Sequence, residues 1–256
     1  TWVFLDHPGI LAFAHRGGAG DWPENTLPAF AAAVALGYRY LETDVHATSD
    51  GKLVAFHDAS LDRVTDREGS IADLPWSEVS RARVAPPTGT AAADAAIPLL
   101  EDLLGTWPEA RVNIDPKHDS AVDPLVEVIR RTDAWDRVCV GAFSDRRLAR
   151  FRRLTGNRVC TGLGPAGIAR LRLASFHAPV GSFAAGCAQV PTRARGRTLV
   201  DARFVAAAHA HRMQVHVWTI DDAIEMQRLL DLGVDGIMTD RPTLLKEVLV
   251  ARGQWA

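Results

Sequence analysis

Short apolar or β-branched runs alternate with longer stretches of helical spacing along almost the entire 256-residue chain. The runs expected to form strands are Leu11–Ala14, Tyr38–Val45, Val112–Asp115, Val138–Ala142, Val159–Gly162, Ala188–Pro191, Gln214–Thr219 and Gly236–Thr239. Each is followed by residues that start helices. Thr26 is placed to cap the first, with Pro28 in its first turn, apolar side chains at Leu27, Phe30, Val34 and Leu36, and Gly37 as the stop. Ser144-Asp145, Asp201, Asp221-Asp222 and Pro242 open later helices in the same manner. Eight strand-then-helix units imply parallel strands with right-handed crossovers. A closed (β/α)8 TIM barrel accounts for the length.

Residues 58–97 interrupt this rhythm. They open with a polar, turn-rich stretch from Asp58 to Ser70 and end in Ala85-Pro86-Pro87 and an Ala-rich run. That is too long for an ordinary connection, so a small insertion after the second strand unit is expected, ahead of a helix near Leu99. Insertions at the C-terminal face of a barrel usually cover or shape its site; the alternative is a surface excursion without a role. No fixed-period repeat and no linker is evident, so residues 1–256 are expected to form a single barrel domain.

Composition narrows the class. Hydrophobic residues make up 47% and charged residues 23%, which excludes a disordered or fibrous chain. No apolar run approaches the roughly 18 residues of a membrane span, so integral membrane association is not expected. No basic and apolar leader pattern opens the chain, which points to the cytoplasm, although Thr1 rather than Met leaves an earlier trimming open. Three widely spaced cysteines, Cys139, Cys160 and Cys187, form neither a disulfide framework nor a CxxC metal pattern, and a reducing compartment is expected. Net charge is −2, yet residues 1–128 carry 9 basic and 20 acidic side chains, and residues 129–256 carry 20 basic and 11 acidic. That asymmetry suggests a cation-binding side and an anion-facing side. The arginines alternate with apolar residues rather than forming a tail, which argues against a nucleic-acid surface.

Candidate chemistry gathers at strand ends. The first strand runs into His15-Arg16-Gly17-Gly18, an acid/base group and a fixed cation beside glycines that let a ligand approach the backbone. The second contains Glu42-Thr43-Asp44, whose alternation sends both carboxylates to one face. In a barrel lumen two unpaired anions repel strongly. A divalent cation with hard oxygen ligands resolves the conflict, as does an ion pair with Arg or Lys. Leu53–Phe56 then leads into His57-Asp58, and the third strand supplies Asp115 and Lys117 on one face. Trp218 lies near the end of a late strand, placing an apolar ring at the mouth. The set reads as three carboxylates for one metal, two histidines for proton traffic, and Arg16 with Lys117 for negative charge. Phosphoryl chemistry needs these parts.

Several spaced motifs in order resemble the glycerophosphodiester phosphodiesterases. They are HRGG at 15–18, PENT at 23–26, ETDVHATSDG at 42–51, FHDASLDRVT at 56–65, NIDPK at 113–117, VWT at 217–219 and GVDGIMTDRP at 233–242. The resemblance implies a (β/α)8 barrel with a small insertion after the second strand. It also implies metal-dependent hydrolysis of glycerophosphodiesters to glycerol 3-phosphate and an alcohol. By the same resemblance His15 and His57 are the general acid/base pair, and Glu42, Asp44 and Asp115 hold one Ca2+ or Mg2+. Arg16 and Lys117 contact phosphate, and Trp218 lines the alcohol pocket. The implied route is substrate-assisted: a hydroxyl beside the ester attacks, a cyclic phosphate forms, and water later opens it; direct attack by metal-bound water is the alternative.

One departure is visible. The family usually has Glu where this chain has Asp115, and Pro116 follows. The lost methylene shortens the reach by about 1.5 Å, so contact through water or a displaced metal is expected. The missing N–H of Pro116 cannot join the ladder, though a local bulge would accommodate it. Two other readings stay open. A lysophospholipase D-like enzyme requires a long apolar groove beside the site, which an aromatic content of 7% does not advertise. A barrel that only binds phosphodiesters is disfavoured by the presence of both histidines. Neither the alcohol nor the oligomeric state is legible in the residues.

Overall fold

The computed structural model describes residues 2–194 and 196–255. Eight parallel strands form a nearly closed barrel: β1 (Leu11–Ala14), β2 (Tyr40–Ala47), β3 (Arg111–Pro116), β4 (Val138–Val140), β5 (Cys160–Thr161), β6 (Cys187–Pro191), β7 (Gln214–Trp218) and β8 (Gly236–Thr239). Their order around the sheet is β5-β4-β3-β2-β1-β8-β7-β6. The β5/β6 seam is spanned by a bridge between Gly162 and Cys187 and by hydrogen bonds from Gly186 N to Thr161 O (3.0 Å) and Leu163 N to Cys187 O (2.9 Å). Between the strands run α1 (Leu27–Ala35), α2 (Leu100–Thr106), α3 (Val122–Arg131), α4 (Asp145–Leu154), α5 (Pro165–Ala174), α6 (Ala202–Ala210) and α7 (Ala223–Leu232), and α8 (Pro242–Ala251) follows the last strand.

The caps expected from sequence are in place. Thr26 accepts from Ala29 N in α1, Ser144 from Arg147 N in α4, Asp201 from Phe204 N in α6, and Asp222 from Glu225 N in α7. Each satisfies a helix N–H that has no partner within its own helix.

β2 is displaced by two residues from its expected span, for a physical reason at each end. Gly37 turns left-handed at φ +95°, and the Tyr38 N–H closes the helix on Ala33 O (3.1 Å), so it is spent before the ladder begins. At the other end the strand runs on to Ala47, because after Gly51 the chain returns antiparallel and pairs Leu53–Ala55 with it. β3 also differs from expectation. Pro116 sits in register with Val45 and no bulge is needed. Pairing with β4 ends earlier, at Ile114 and Val140, so the missing N–H removes no ladder bond there. β4 and β5 are shorter than the apolar runs that foretold them.

The lower lumen is filled by Phe4, Leu11, Phe13, Tyr40 and Met238 with the three cysteines. Cys139, Cys160 and Cys187 are free, buried thiols, with Cys139 and Cys187 Sγ 3.9 Å apart. Residues between β2 and α2 hold a separate small core of Val54, Phe56, Leu61, Ile71, Val79 and Ile97. The opposite charges of the two sequence halves meet on the barrel exterior. Arg131 pairs with Glu101 at 2.6 Å, Arg147 with Asp119 at 3.0 Å, Arg146 with Asp119, and Arg150 with Asp123. Among the described residues no helix is long and apolar enough to cross a membrane.

Candidate active site

At the end of β1 the chain makes a tight left-handed passage, with φ +51° at Arg16, +83° at Gly17 and +103° at Gly18. A Cβ on Gly17 would lie 2.7 Å from the Ala29 Cβ, and one on Gly18 would lie 2.8 Å from Pro242 Cγ. Glycine is required at both by space as well as by conformation. The turn is thereby pressed between the starts of α1 and α8, and it delivers His15 and Arg16 to a pocket of about 800 Å3. The same pocket is lined by Glu42 and Asp44 from β2, His57, Asp115 from β3, Lys117 and Trp218 from β7. All eight residues singled out in the sequence thus share one cavity.

Both histidines are backed by carboxylates. His15 Nδ1 is 2.6 Å from Asp240 Oδ1, and its Nε2 is 3.7 Å from Glu42 Oε2. Burial works against a charged imidazole here, but Glu42 and then Asp240 outweigh it and raise the proton affinity of His15. His57 Nδ1 is 2.5 Å from Asp58 Oδ1. The other oxygen of Asp58 accepts from Arg63 Nε, and the Arg63 fork reaches Glu24 at 2.7 and 3.1 Å. Glu24 also accepts from Arg16 Nη1 at 3.0 Å. Partial burial opposes ionisation of Asp58, but the Arg63 and His57 hydrogen bonds hold its carboxyl down at about 2. With Nδ1–H given to an aspartate, each ring keeps Nε2 as its free acid/base nitrogen.

The three remaining carboxylates and Lys117 form a tight polar cluster. Lys117 Nζ is 2.6 Å from Asp44 and 2.8 Å from Asp115. Arg16 Nε lies 3.2 Å from Asp44 Oδ2, an ion-pair distance without hydrogen-bond alignment. Asn25 Nδ2 donates to the same oxygen at 3.3 Å. Burial alone would raise the Asp44 carboxyl, yet Lys117 and Arg16 hold it below the usual range. Glu42 moves the other way, to about 7, pushed by burial and by the Asp44 charge. Asp115 is raised by burial in spite of Lys117, and its Oδ1 is buried without a hydrogen-bond partner.

The donor set fits a hard divalent cation on these grounds. It offers only oxygens, one of them unsatisfied, and burial together with the Asp44 charge raises the Glu42 carboxyl, a strain that added positive charge would relieve. Among the described residues no three side chains converge on a preformed metal position. The Lys117 ammonium stands between Asp44 and Asp115, as the ion-pair alternative anticipated. Glu42, Asp44 and Asp115 would hold the cation once that ammonium turned toward the substrate.

Across the mouth the pocket wall changes character. Phe143, Leu163, Pro165, Ile168, Val190 and Leu199 line it. A low aromatic content gave no hint of such a groove because the wall is mainly aliphatic. Trp218 stands at its edge, T-shaped to Phe143 with ring centroids 5.7 Å apart.

Five functional neighbours escaped the sequence reading: Glu24, Asn25, Asp58, Arg63 and Asp240. Each lies within a motif quoted above, so the motifs held the signal without the partnership. Asp240 is 225 residues from the histidine it supports and meets it because β8 pairs with β1. The segment 58–97 does not roof the pocket, since none of its residues lines it among those described. It reaches the site through Asp58 and Arg63.

A family model described as the Glycerophosphoryl diester phosphodiesterase family matches residues 15–244. A Mycobacterium tuberculosis protein named probable glycerophosphodiester phosphodiesterase 2 is 42% identical, over 100% of this chain and 96% of its own length. A mouse protein named lysophospholipase D is 32% identical over 97% of this chain and 92% of its own. The crystal structure of an Oleispira antarctica phosphodiesterase, solved with the product sn-glycerol-3-phosphate, has a TM-score of 0.77. It covers 94% of this chain and 97% of its own at 21% identity, which shows a common fold.

Proposed function

The chain belongs to the glycerophosphoryl diester phosphodiesterase family, and on that footing we propose that it hydrolyses glycerophosphodiesters to glycerol 3-phosphate and an alcohol, with His15 and His57 as the acid/base pair. One observation carries this reading. Two imidazoles, each with Nδ1 on an aspartate, open with Arg16 and Lys117 into one pocket.

Arg16 and Lys117 bind and orient the phosphate. His15 takes the proton of the hydroxyl beside the ester as that oxygen attacks phosphorus. His57, held by Asp58, gives a proton to the departing alcohol oxygen as its bond to phosphorus breaks. A cyclic phosphate results, and water opens it with the two roles reversed. Trp218 borders the leaving alcohol. Glu42, Asp44 and Asp115 would hold one divalent cation, calcium or magnesium, which would supply positive charge to the phosphoryl oxygens.

The test is release of glycerol 3-phosphate from glycerophosphocholine, glycerophosphoethanolamine, glycerophosphoglycerol and glycerophosphoinositol, with and without a chelator. Turnover that a chelator abolishes and added Ca2+ or Mg2+ restores is expected. Undiminished turnover after exhaustive chelation defeats the metal assignment, and no release from any of the four defeats the reaction.

A further inference from the structure

One pleat below Asp115, the pocket floor is crossed by a hydrogen bond between opposite strands. Gln189 Nε2 on β6 donates to Asn113 Oδ1 on β3 at 2.7 Å, passing over β4 and β5. Two glycines make room for it. A Cβ on Gly141 would lie 2.8 Å from Gln189 Oε1, and one on Gly162 would lie 3.2 Å from the same atom. Neither glycine has a positive φ, so space rather than conformation calls for them.

The polarity of this crossing is set at its far end. The Leu5 carbonyl can only accept, so Gln214 Nε2 donates to it (3.2 Å) and Gln214 Oε1 accepts from His216 Nε2 (3.0 Å). His216 Nδ1 is then the acceptor facing Gln189 Nε2 (3.4 Å), whose other proton goes to Asn113. An acceptor, Gln189 Oε1, and a donor, Asn113 Nδ2, are left over. Among the described residues neither atom has a hydrogen-bond partner, and both residues line the pocket. Asn113 is 4% exposed, so a partner for its amino group has to come from the pocket.

We propose that Asn113 and Gln189 determine specificity by binding the terminal hydroxyl of the substrate's glycerol, so that the chain selects glycerophosphodiesters in which that oxygen is free. The inference rests on the hydrolytic reading of the charged cluster, which fixes where the glycerol lies. A hydroxyl accepts from Asn113 and donates to Gln189 through one atom. Phosphate oxygens and a trimethylammonium group have no proton to give, so neither satisfies the pair. Asn113 stands in register with Glu42 on the neighbouring strand, and Glu42 Oε2 is 3.7 Å from His15 Nε2. His15 engages the hydroxyl beside the ester, and the terminal hydroxyl, one carbon further along, falls to the floor. A substituent there removes the proton that Gln189 accepts.

The test compares glycerophosphocholine with the choline phosphodiester of propane-1,2-diol, joined through its primary oxygen. The second compound keeps the attacking hydroxyl and lacks only the terminal one. In the native protein kcat/KM should favour glycerophosphocholine by about 10- to 100-fold, since the buried pair is otherwise left unmatched. In Gln189→Met and in Asn113→Leu, made separately, that ratio should shrink to about threefold or less, whereas general damage would lower both substrates alike. Equal kcat/KM in the native protein overturns the proposal, and so does a ratio that neither substitution changes. Calorimetric binding of sn-glycerol 3-phosphate against propane-1,2-diol 1-phosphate separates the site from the reaction. If neither diester is cleaved while glycerol 3-phosphate binds about tenfold more tightly, the hydrolytic reading falls and the hydroxyl site stands. If both diesters are cleaved equally well and the two phosphates bind alike, the reverse follows.

Discussion

At the ends of β1, β2 and β3 the two histidines, Arg16 and Lys117 each rest on a carboxylate. His15 rests on Asp240, His57 on Asp58, Arg16 between Glu24 and Asp44, and Lys117 between Asp44 and Asp115. Across the mouth, beyond β4, β5 and β6, Phe143, Leu163 and Leu199 hold nothing polar. Charges held by directed partners belong where charge moves, and an undirected apolar surface belongs where only fit matters. Damage on the first side should therefore fall on turnover, and damage on the second on affinity.

The largest effect is expected at His57. His57→Ala should lower turnover by about 10²–10⁴, the usual worth of a positioned acid/base group, while a substrate analogue binds nearly as before. Titration calorimetry beside steady-state kinetics separates the two. Lost binding with unchanged turnover per bound substrate would place His57 among the binding groups and blur the contrast.

Arg63 sharpens the same contrast from outside the pocket. Its guanidinium ties Asp58 to Glu24, which in turn holds Arg16. Arg63→Ala should lower kcat by about 10- to 100-fold, as loss of an orienting neighbour commonly does, with little change in KM. Arg63→Lys should recover part of the loss, because one ammonium cannot reproduce the fork. Equal kcat in the native and Ala forms would mean that Arg63 does not position the catalytic groups.

A smaller effect concerns acid stability. The Asp58 carboxyl is held at about 2 in the folded chain, against about 4 in an unfolded one. Its pairing therefore adds stability that is fully present above about pH 4 and is lost as pH falls toward 2. Asp58→Asn lacks that contribution at any pH, so the gap in urea midpoint between native and variant should narrow from about pH 5 to pH 3. A constant gap would mean that Asp58 is not ionised against Arg63.

The charged side was legible because barrel strands alternate. ETD and NIDPK each place two charged groups on one face within three residues, and HRGG announces a turn that only glycine permits. What stayed hidden depends on contacts between distant segments. Asp240 joins His15 only when the last strand closes on the first, and Arg63 reaches Asp58 and Glu24 only when its segment folds back. The aliphatic wall was hidden for another reason. Leu163, Ile168 and Leu199 look in sequence like any core residues, and only the barrel's curvature turns them toward a cavity.

In the proposed route the hydroxyl beside the ester joins the two histidines in one reaction, so the most direct measurement removes it. The choline phosphodiester of 3-methoxypropan-1-ol keeps the phosphodiester, the head group and the distant oxygen of glycerophosphocholine but has no free hydroxyl. It should bind, less tightly for want of the terminal hydroxyl, and show no turnover, because His15 then has no proton to take and no cyclic phosphate can form. Hydrolysis at a rate near that of glycerophosphocholine would contradict this route, and water would have to attack phosphorus directly.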